Sequence, residues 1–185
     1  MLAEILAEYL KFFPTEKNAL GRLLQQISDE ENLHDRRNFN GHITGSAIVL
    51  SPDRTEILFI HHKLFNRWQQ PGGHWEGDDE PNPLVAQREG EEETAAHIAS
   101  YLPLDTANPL VPLDIDSHQV PARDHKNEPI HWHHDFRYVF VAKDENVRPQ
   151  ESEINAVRWF ALSAPETQII KRTMAKLARL SIHRE

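Results

Sequence analysis

Two neighbouring stretches, Gln70-Pro71-Gly72-Gly73-His74-Trp75-Glu76-Gly77 and Arg88-Glu89-Gly90-Glu91-Glu92-Glu93, decide how the rest of this 185-residue chain is read. The first lies in a Gly-rich run without hydrophobic period, which predicts a loop over Trp68 to Glu80. The second lies in a helix opened by Asn82-Pro83, because Asn caps well and Pro is tolerated at the first helical position. That helix is expected to run to about Ala96. At about 3.6 residues per turn, Glu89, Glu92 and Glu93 share one face. Like charges three or four apart destabilise a helix by roughly 0.2–0.5 kcal/mol per pair, and Gly90 weakens it further. Four glutamates within five positions are therefore a poor choice for stability alone. A cation resolves the conflict, and clustered hard oxygen ligands suit Mg2+ or Mn2+. Arg88, four residues before Glu92, reaches that carboxylate. Read in isolation, the acidic run is a solvated helix face. The preceding loop tips the balance, since paired glycines let backbone approach a ligand closely.

Working outward, Leu2, Ile5, Leu6, Tyr9 and Leu10 recur at helical spacing until Pro14. Thr15 is a candidate N-cap for a second helix carrying Leu20, Leu23, Leu24 and Ile27 on one face. Residues 1–40 thus read as a helical hairpin packed on a main domain of residues 41–185. From Gly41 the period changes to that of strands: His42 to Leu50, Glu56 to His62, Leu113 to Val120, Ile130 to Ala142 and Ile154 to Ala161. Pro121 to Pro129 connects the third and fourth of these. A last helix opens near Ser163 and carries Ile169, Ile170, Met174 and Leu177. Strands mixed with few helices predict an α/β or α+β sandwich.

Composition narrows the function classes. With 20 Lys+Arg against 29 Asp+Glu, the formal net charge is -9. An acidic surface disfavours a nucleic-acid duplex or an anionic membrane as partner, but not a phosphorylated small molecule bridged by a divalent cation. No apolar run approaches the roughly 20 residues needed to span a bilayer, and the N-terminus lacks the pattern of a signal peptide, so a cytoplasmic enzyme is expected. The chain has no cysteine, which excludes disulfides, thiolate metal sites and cysteine nucleophiles.

Histidine is plentiful, at 12 residues. In the strand Ile130-His131-Trp132-His133-His134-Asp135-Phe136, alternation places His131, His133 and Asp135 on one face. His-x-His on a strand can chelate a transition metal, with His118 from a neighbouring strand as a third ligand; the alternative is that these imidazoles line a substrate cleft. His74 and Glu76 in the loop, with His131 and His133, are the candidate substrate contacts. His62 and Glu153 are further candidates for the same cleft.

The loop and helix together resemble the box of the Nudix hydrolase family, G-x(5)-E-x(7)-R-E-U-x-E-E-x-G-U, where U is a bulky aliphatic residue. Gly73 matches its first glycine, Arg88-Glu89 its R-E pair and Glu92-Glu93 its E-E pair. The resemblance implies an α/β/α sandwich with a mixed sheet. It also implies divalent ions bound by Glu89, Glu92 and Glu93 with the carbonyl of Gly73, a catalytic carboxylate at Glu92 or Glu93, and Arg88 holding a glutamate in place. The chain departs from the box in three ways. The span from Gly73 to Arg88 is one residue too long, so Asp79 or Glu80 takes the place of the first glutamate. Gly90 replaces an aliphatic residue, which should weaken packing of the helix. Thr94-Ala95-Ala96 replaces the closing x-G-U, so the helix is expected to run past the usual break. Gly41-His42-Ile43-Thr44, His61-His62-Lys63, Trp68-Gln69-Gln70-Pro71, Asp114-Ile115-Asp116-Ser117-His118 and Val157-Arg158-Trp159-Phe160 are similar to a bacterial subgroup of undefined substrate.

The expected activity is hydrolysis of a diphosphate linkage in a nucleoside diphosphate-type substrate: a nucleotide sugar, an ADP-ribose-like compound or a nucleoside triphosphate. A homodimer is compatible with this reading. One rival is an isomerase acting on isopentenyl diphosphate, which in the related family relies on a cysteine that this chain lacks. Another is a non-catalytic ligand-binding or sensor module that retains the box. A third is a metal-binding protein built on the histidine strand.

Overall fold

A computed structural model describes residues 1–76, 82–123, 127–178 and 180. The choice between Asp79 and Glu80, and the capping role of the Asn82 side chain, lie outside the described residues. The chain opens with α1 (Leu2–Phe12), which buries Ile5, Leu6 and Tyr9. The second helix, α2, spans Gly21–Ser28 and begins later than the Thr15 cap implies. Pro14–Glu16 instead form a single 3-10 turn. Phe13 ahead of the proline leaves the helical region, with φ of -130° and ψ of 61°, as proline's ring disfavours that region for its predecessor. Leu20, expected on the helix face, is buried in the turn just before α2.

Eight strands follow, with α3 (Asn82–Thr94) between the fourth and fifth and α4 (Lys171–Leu177) last: β1 His42–Leu50, β2 Glu56–His62, β3 Arg67–Gln69, β4 Gly72–His74, β5 Ile98–Leu102, β6 Asp114–Val120, β7 His131–Ala142 and β8 Ile154–Ala161. They form one mixed sheet whose central path runs β3-β2-β1-β7-β5, with β4 on β1, β6 on β7 and β8 on β2. The β1–β7 pair is parallel, in register from His42 opposite His133 to Leu50 opposite Val141. The other pairs are antiparallel. The fold is therefore α+β with a mixed sheet and an N-terminal helical hairpin.

Four further elements differ from the sequence expectation. β3 and β4 lie within the stretch read as loop; each has three residues and draws its ladder partners from β2 and β1, so no local period marks it. β5 was not anticipated either, since its partner is the distant β7. The C-terminal helix is preceded by a 3-10 segment, Pro165–Ile170, that leaves Ile169 exposed while Ile170 is buried.

Both faces of the sheet are covered. Ile43, Ala47 and Val49 of β1 pack with α1, α2 and Ala86 of α3, while Ile48 and Leu50 pack with Phe59, Val139, Ile170 and Leu177. The alternation along β1 thus faces two cores, which is why it reads as an almost continuous apolar run. Polar stitches fix the hairpin. His134 of β7 bridges Oε1 of Gln26 (2.8 Å) and Oγ of Ser117 (2.8 Å). Tyr9 Oη accepts from the backbone N–H of Ile115 (3.1 Å) and from Nζ of Lys176 (2.6 Å), and donates to Glu16 (2.5 Å).

Beside Tyr9 sits the fully buried carboxylate of Asp114. It accepts from Lys176 (2.5 Å), Thr173 (2.6 Å), Arg172 (3.0 Å) and Arg137 (3.2 Å), so β6, β7 and α4 meet on one anion. Burial opposes its ionisation, yet Lys176, Arg137 and Arg172 outweigh that and hold the carboxyl below the usual range. A depressed pKa contributes stability that is complete above the unfolded value of about 4 and is lost as pH falls through the folded value. Replacing one partner leaves buried charges uncompensated. Asp114→Asn should thus destabilise the protein at pH 7 by about 3–5 kcal/mol and remove part of the acid-induced loss of stability. Urea unfolding of both proteins at pH 7 and at pH 3 measures both effects.

Candidate active site

The helix α3 crosses β1 and β4 at close range. An ideal Cβ on Gly90 would lie 3.1 Å from the Ala47 methyl, tighter than ordinary packing. Gly90 was expected to loosen the helix; its missing side chain instead lets the helix settle onto β1. At the other contact, a Cβ on Gly73 would overlap the carboxylate of Glu89. Glycine at both positions favours this close approach, Gly90 against β1 and Gly73 under the Glu89 carboxylate.

That proximity shapes the carboxylates. Glu93 is buried and accepts the backbone N–H of Gly72 at 2.9 Å. Burial pushes its pKa up to about 8, helped by Glu89 and Glu153 and only partly offset by the Gly72 bond. Glu89 is pushed up to about 7, again by burial, with Arg88 pulling the other way. Arg88 donates to Glu89 (3.0 Å), to Glu92 (3.1 Å) and to the carbonyl of His74 (2.9 Å), tying helix to loop. The Glu92 carboxylate is about half exposed, at 52%. One guanidinium thus serves two carboxylates, and burial penalises the negative charge of Glu89 and Glu93. The three helix carboxylates do not all bring ligand atoms within 4.8 Å of one another; Glu93 has its neighbours at that spacing elsewhere in the chain.

Two side chains from other segments join it. His62, at the end of β2, and Glu153, just before β8, bring ligand atoms to within 4.8 Å of Glu93 and of each other. The last carbonyls of α3 hold that segment in place: Arg148 N–H donates to Thr94 (2.8 Å) and Gln150 N–H to Glu93 (3.1 Å). The glutamates open onto a cleft of about 650 Å3, also lined by Gly73, His74, Glu76, His118, His133 and Asp135. Its cationic lining was not anticipated: Arg36, Arg67, Arg123 and Arg137 come from four separate segments and are masked by the negative total charge. The guanidinium carbons of Arg67 and Arg123 sit 5.3 and 5.2 Å from the centroid of the Phe65 ring.

The histidine strand divides its work. Asp135 is occupied by donors, accepting from Ser46 (2.7 Å), Arg137 (2.9 Å), Thr44 (3.2 Å) and Gln70 (3.3 Å). His118 pairs with Asp116 at 3.4 Å, a contact that raises its pKa, and its ring centroid is 6.0 Å from that of His133. The imidazole brought against His131 and His133 is His42 of β1, set there by the parallel register. His74 completes the ring cluster, at 5.2 Å from His42 and 5.1 Å from His133. Burial, first of all, drives the His74 pKa down to about 3 and lowers that of His42, so these rings are neutral near pH 7.

Comparison with known proteins follows the same lines. The NUDIX domain family matches residues 41–180. A curated relative, the "Probable DHNTP pyrophosphohydrolase" of Lactococcus lactis subsp. cremoris (strain MG1363), is 28% identical over 166 residues, spanning 88% of this chain and 90% of its own. Among solved structures, a NUDIX-family hydrolase from Clostridium perfringens superposes with a TM-score of 0.55 at 18% identity, covering 76% of this chain and 98% of the other. A MutT NUDIX hydrolase from Burkholderia pseudomallei gives a TM-score of 0.50 at 20% identity, over 74% and 98% respectively.

The end of α3 corrects one expectation. The helix does not run past the usual break: it stops at Thr94, and Ala95 takes the left-handed conformation with φ of 52°. The box has glycine at this position, and the backbone keeps the glycine geometry although the residue is alanine. A left-handed alanine is strained by roughly 1–2 kcal/mol, of which the greater unfolded freedom of glycine takes back part. Ala95→Gly should therefore stabilise the protein by about 1 kcal/mol, read as a rise in the denaturation midpoint at unchanged m-value.

Proposed function

This chain belongs to the NUDIX domain family, and from that membership we propose that it is a divalent-metal-dependent pyrophosphohydrolase acting in the cytoplasm on a nucleoside diphosphate-type substrate. The observation that carries the reading is the pairing, in one cleft, of a carboxylate cluster with several arginines. Phosphate oxygens need cations, and a protein of net charge -9 gathers them here. The name of the Lactococcus relative, a probable pyrophosphohydrolase, supports the same reaction class. Among the described residues no helix is long and apolar enough to cross a membrane.

The residue types suit Mg2+ or Mn2+: Glu93 and Glu153, whose ligand atoms lie within 4.8 Å, would hold the ion, with Glu89 and Glu92 closing on it and the Gly73 carbonyl as a further ligand. A bound ion supplies charge neutralisation on the diphosphate and lowers the pKa of a water. Glu92 or Glu93 accepts that water's proton on a carboxylate oxygen. Arg88 keeps Glu89 and Glu92 from rotating away and anchors them to the His74 carbonyl. Arg36, Arg67 and Arg123 bind and orient the phosphate chain, with His74 and Glu76 as further contacts on the cleft wall.

Glu93→Gln and Glu92→Gln should each reduce turnover by about 100-fold or more at saturating Mg2+, with an unchanged circular dichroism spectrum. Substrates for this assay come from a screen of nucleotide sugars, dinucleoside polyphosphates, ADP-ribose, nucleoside triphosphates and DHNTP. Wild-type turnover in both variants would remove the helix from the chemistry, and ligand binding without any metal-dependent hydrolysis would identify a binding module instead.

A further inference from the structure

Three imidazoles converge where β1 and β7 begin. His42 stands opposite His133 in the parallel register, and His131 lies two residues earlier on the same face. One ring nitrogen from each of the three lies within 4.8 Å of the other two. Ring centroids are 4.7 Å apart for His42–His133, 4.9 Å for His131–His133 and 5.1 Å for His42–His131.

The hydrogen bonds fix the tautomers. Nδ1 of His42 lies 3.1 Å from the carbonyl of Asn38, and Nδ1 of His131 lies 2.7 Å from the carbonyl of Pro129. A carbonyl only accepts, so both Nδ1 atoms carry the proton and donate. In a neutral ring, each Nε2 is then left with a lone pair. Nε2 of His131 is 3.0 Å from Nε2 of His133. Nε2 of His42 is buried and has no hydrogen-bond partner. A proton on His133 would account for the His131 contact but leave the His42 lone pair orphaned, which is costly in a buried site. A single cation among the three nitrogens accounts for all of them.

We propose that His42, His131 and His133 form a transition-metal site of the zinc class, separate from the carboxylate site and sharing no residue with it. Zinc–nitrogen bonds of roughly 2.0–2.1 Å place tetrahedral ligands about 3.3 Å apart, close to the His131–His133 separation of 3.0 Å. Backbone carbonyls behind Nδ1 are the usual second shell of a metal-bound histidine, fixing ring orientation and raising ligand basicity. Neutral nitrogen donors select Zn2+, Co2+ or Ni2+ over Mg2+, which prefers oxygen. His133 also lines the cleft, so the site borders it. The ion bridges the starts of the two strands that hold the cleft floor. This site stands or falls independently of the hydrolase reading.

The test uses the full chain, stripped with chelator and titrated with Co2+, whose visible absorption is intense only at low coordination number. One Co2+ per chain is expected, displaced by Zn2+ but not by a large excess of Mg2+. His133→Ala should weaken binding by about 100-fold or more, on the scale seen when a ligand shell is disrupted, while Glu93→Gln leaves it unchanged. No saturable binding to the wild type would overturn the site, as would binding that Mg2+ displaces, or that survives His133→Ala and is lost in Glu93→Gln. Should His133→Ala fail to fold, zinc-edge X-ray absorption of the loaded wild type decides. Three imidazoles in the first shell support the site, and fewer overturn it.

Discussion

The close approach of α3 to β1 and β4 is the constraint on which the rest of the site depends. Gly90 permits it on one side, where a methyl group would meet Ala47, and Gly73 on the other, where a Cβ would occupy the place of the Glu89 carboxylate. With the helix at that distance, Glu93 is driven under the loop and takes a backbone N–H from Gly72. Glu89 is desolvated, and Arg88 reaches back to the His74 carbonyl. A helix standing farther out would leave all three glutamates in water, where their mutual repulsion is screened and their affinity for an ion correspondingly small. Burial is thus what raises the cost of ionising Glu89 and Glu93, a cost that a proton or a bound cation would relieve.

The charges around the cleft follow a related logic. Three of the cleft's carboxylates, Glu89, Glu92 and Glu93, come from one helix, whereas Arg36, Arg67, Arg123 and Arg137 come from segments far apart in sequence. Arg137 is saturated by Asp114, Asp116 and Asp135. It joins the structural network beneath the cleft and offers little charge to a ligand. Among the described residues, Arg36 and Arg123 both pair with Glu128. Positive charge beside buried negative charge is the arrangement that a metal–diphosphate complex neutralises from both sides.

The sequence made the long elements legible. β1, β2 and β8 have the bounds that their apolar patterns predict, and β6 and β7 differ by one residue, because each is long enough for its burial pattern to show. The glutamates of α3 were legible too, since their helical phase depends only on local spacing. What stayed hidden is non-local. β3, β4 and β5 are defined by partners rather than by a period of their own. His42 could not be assigned to the imidazole cluster without knowing that β1 and β7 run parallel with His42 opposite His133; His118, on an antiparallel neighbour, looked equally close. The glycine-like turn at Ala95 was read as a continuing helix, because alanine is the strongest helix former, yet its φ is 52°.

One strand face shows how position converts similar residues to different ends. Along β7, residues 131, 133, 135 and 137 point the same way, and each meets what the neighbouring strands present. At the start, His131 and His133 find His42 and a pair of backbone carbonyls, which fix proton positions and leave lone pairs convergent. Two residues on, Asp135 finds the hydroxyls of Thr44 and Ser46 and the side chain of Arg137, so its oxygens are consumed by donors. One step further, Arg137 turns into the buried Asp114 network that ties α4 and, through Lys176 and Tyr9, the hairpin to the sheet. The transition from groups with free lone pairs to fully paired groups falls within about 20 Å of strand. It follows the partners that the neighbouring strands present and not depth, since His131, Asp135 and Arg137 are all buried.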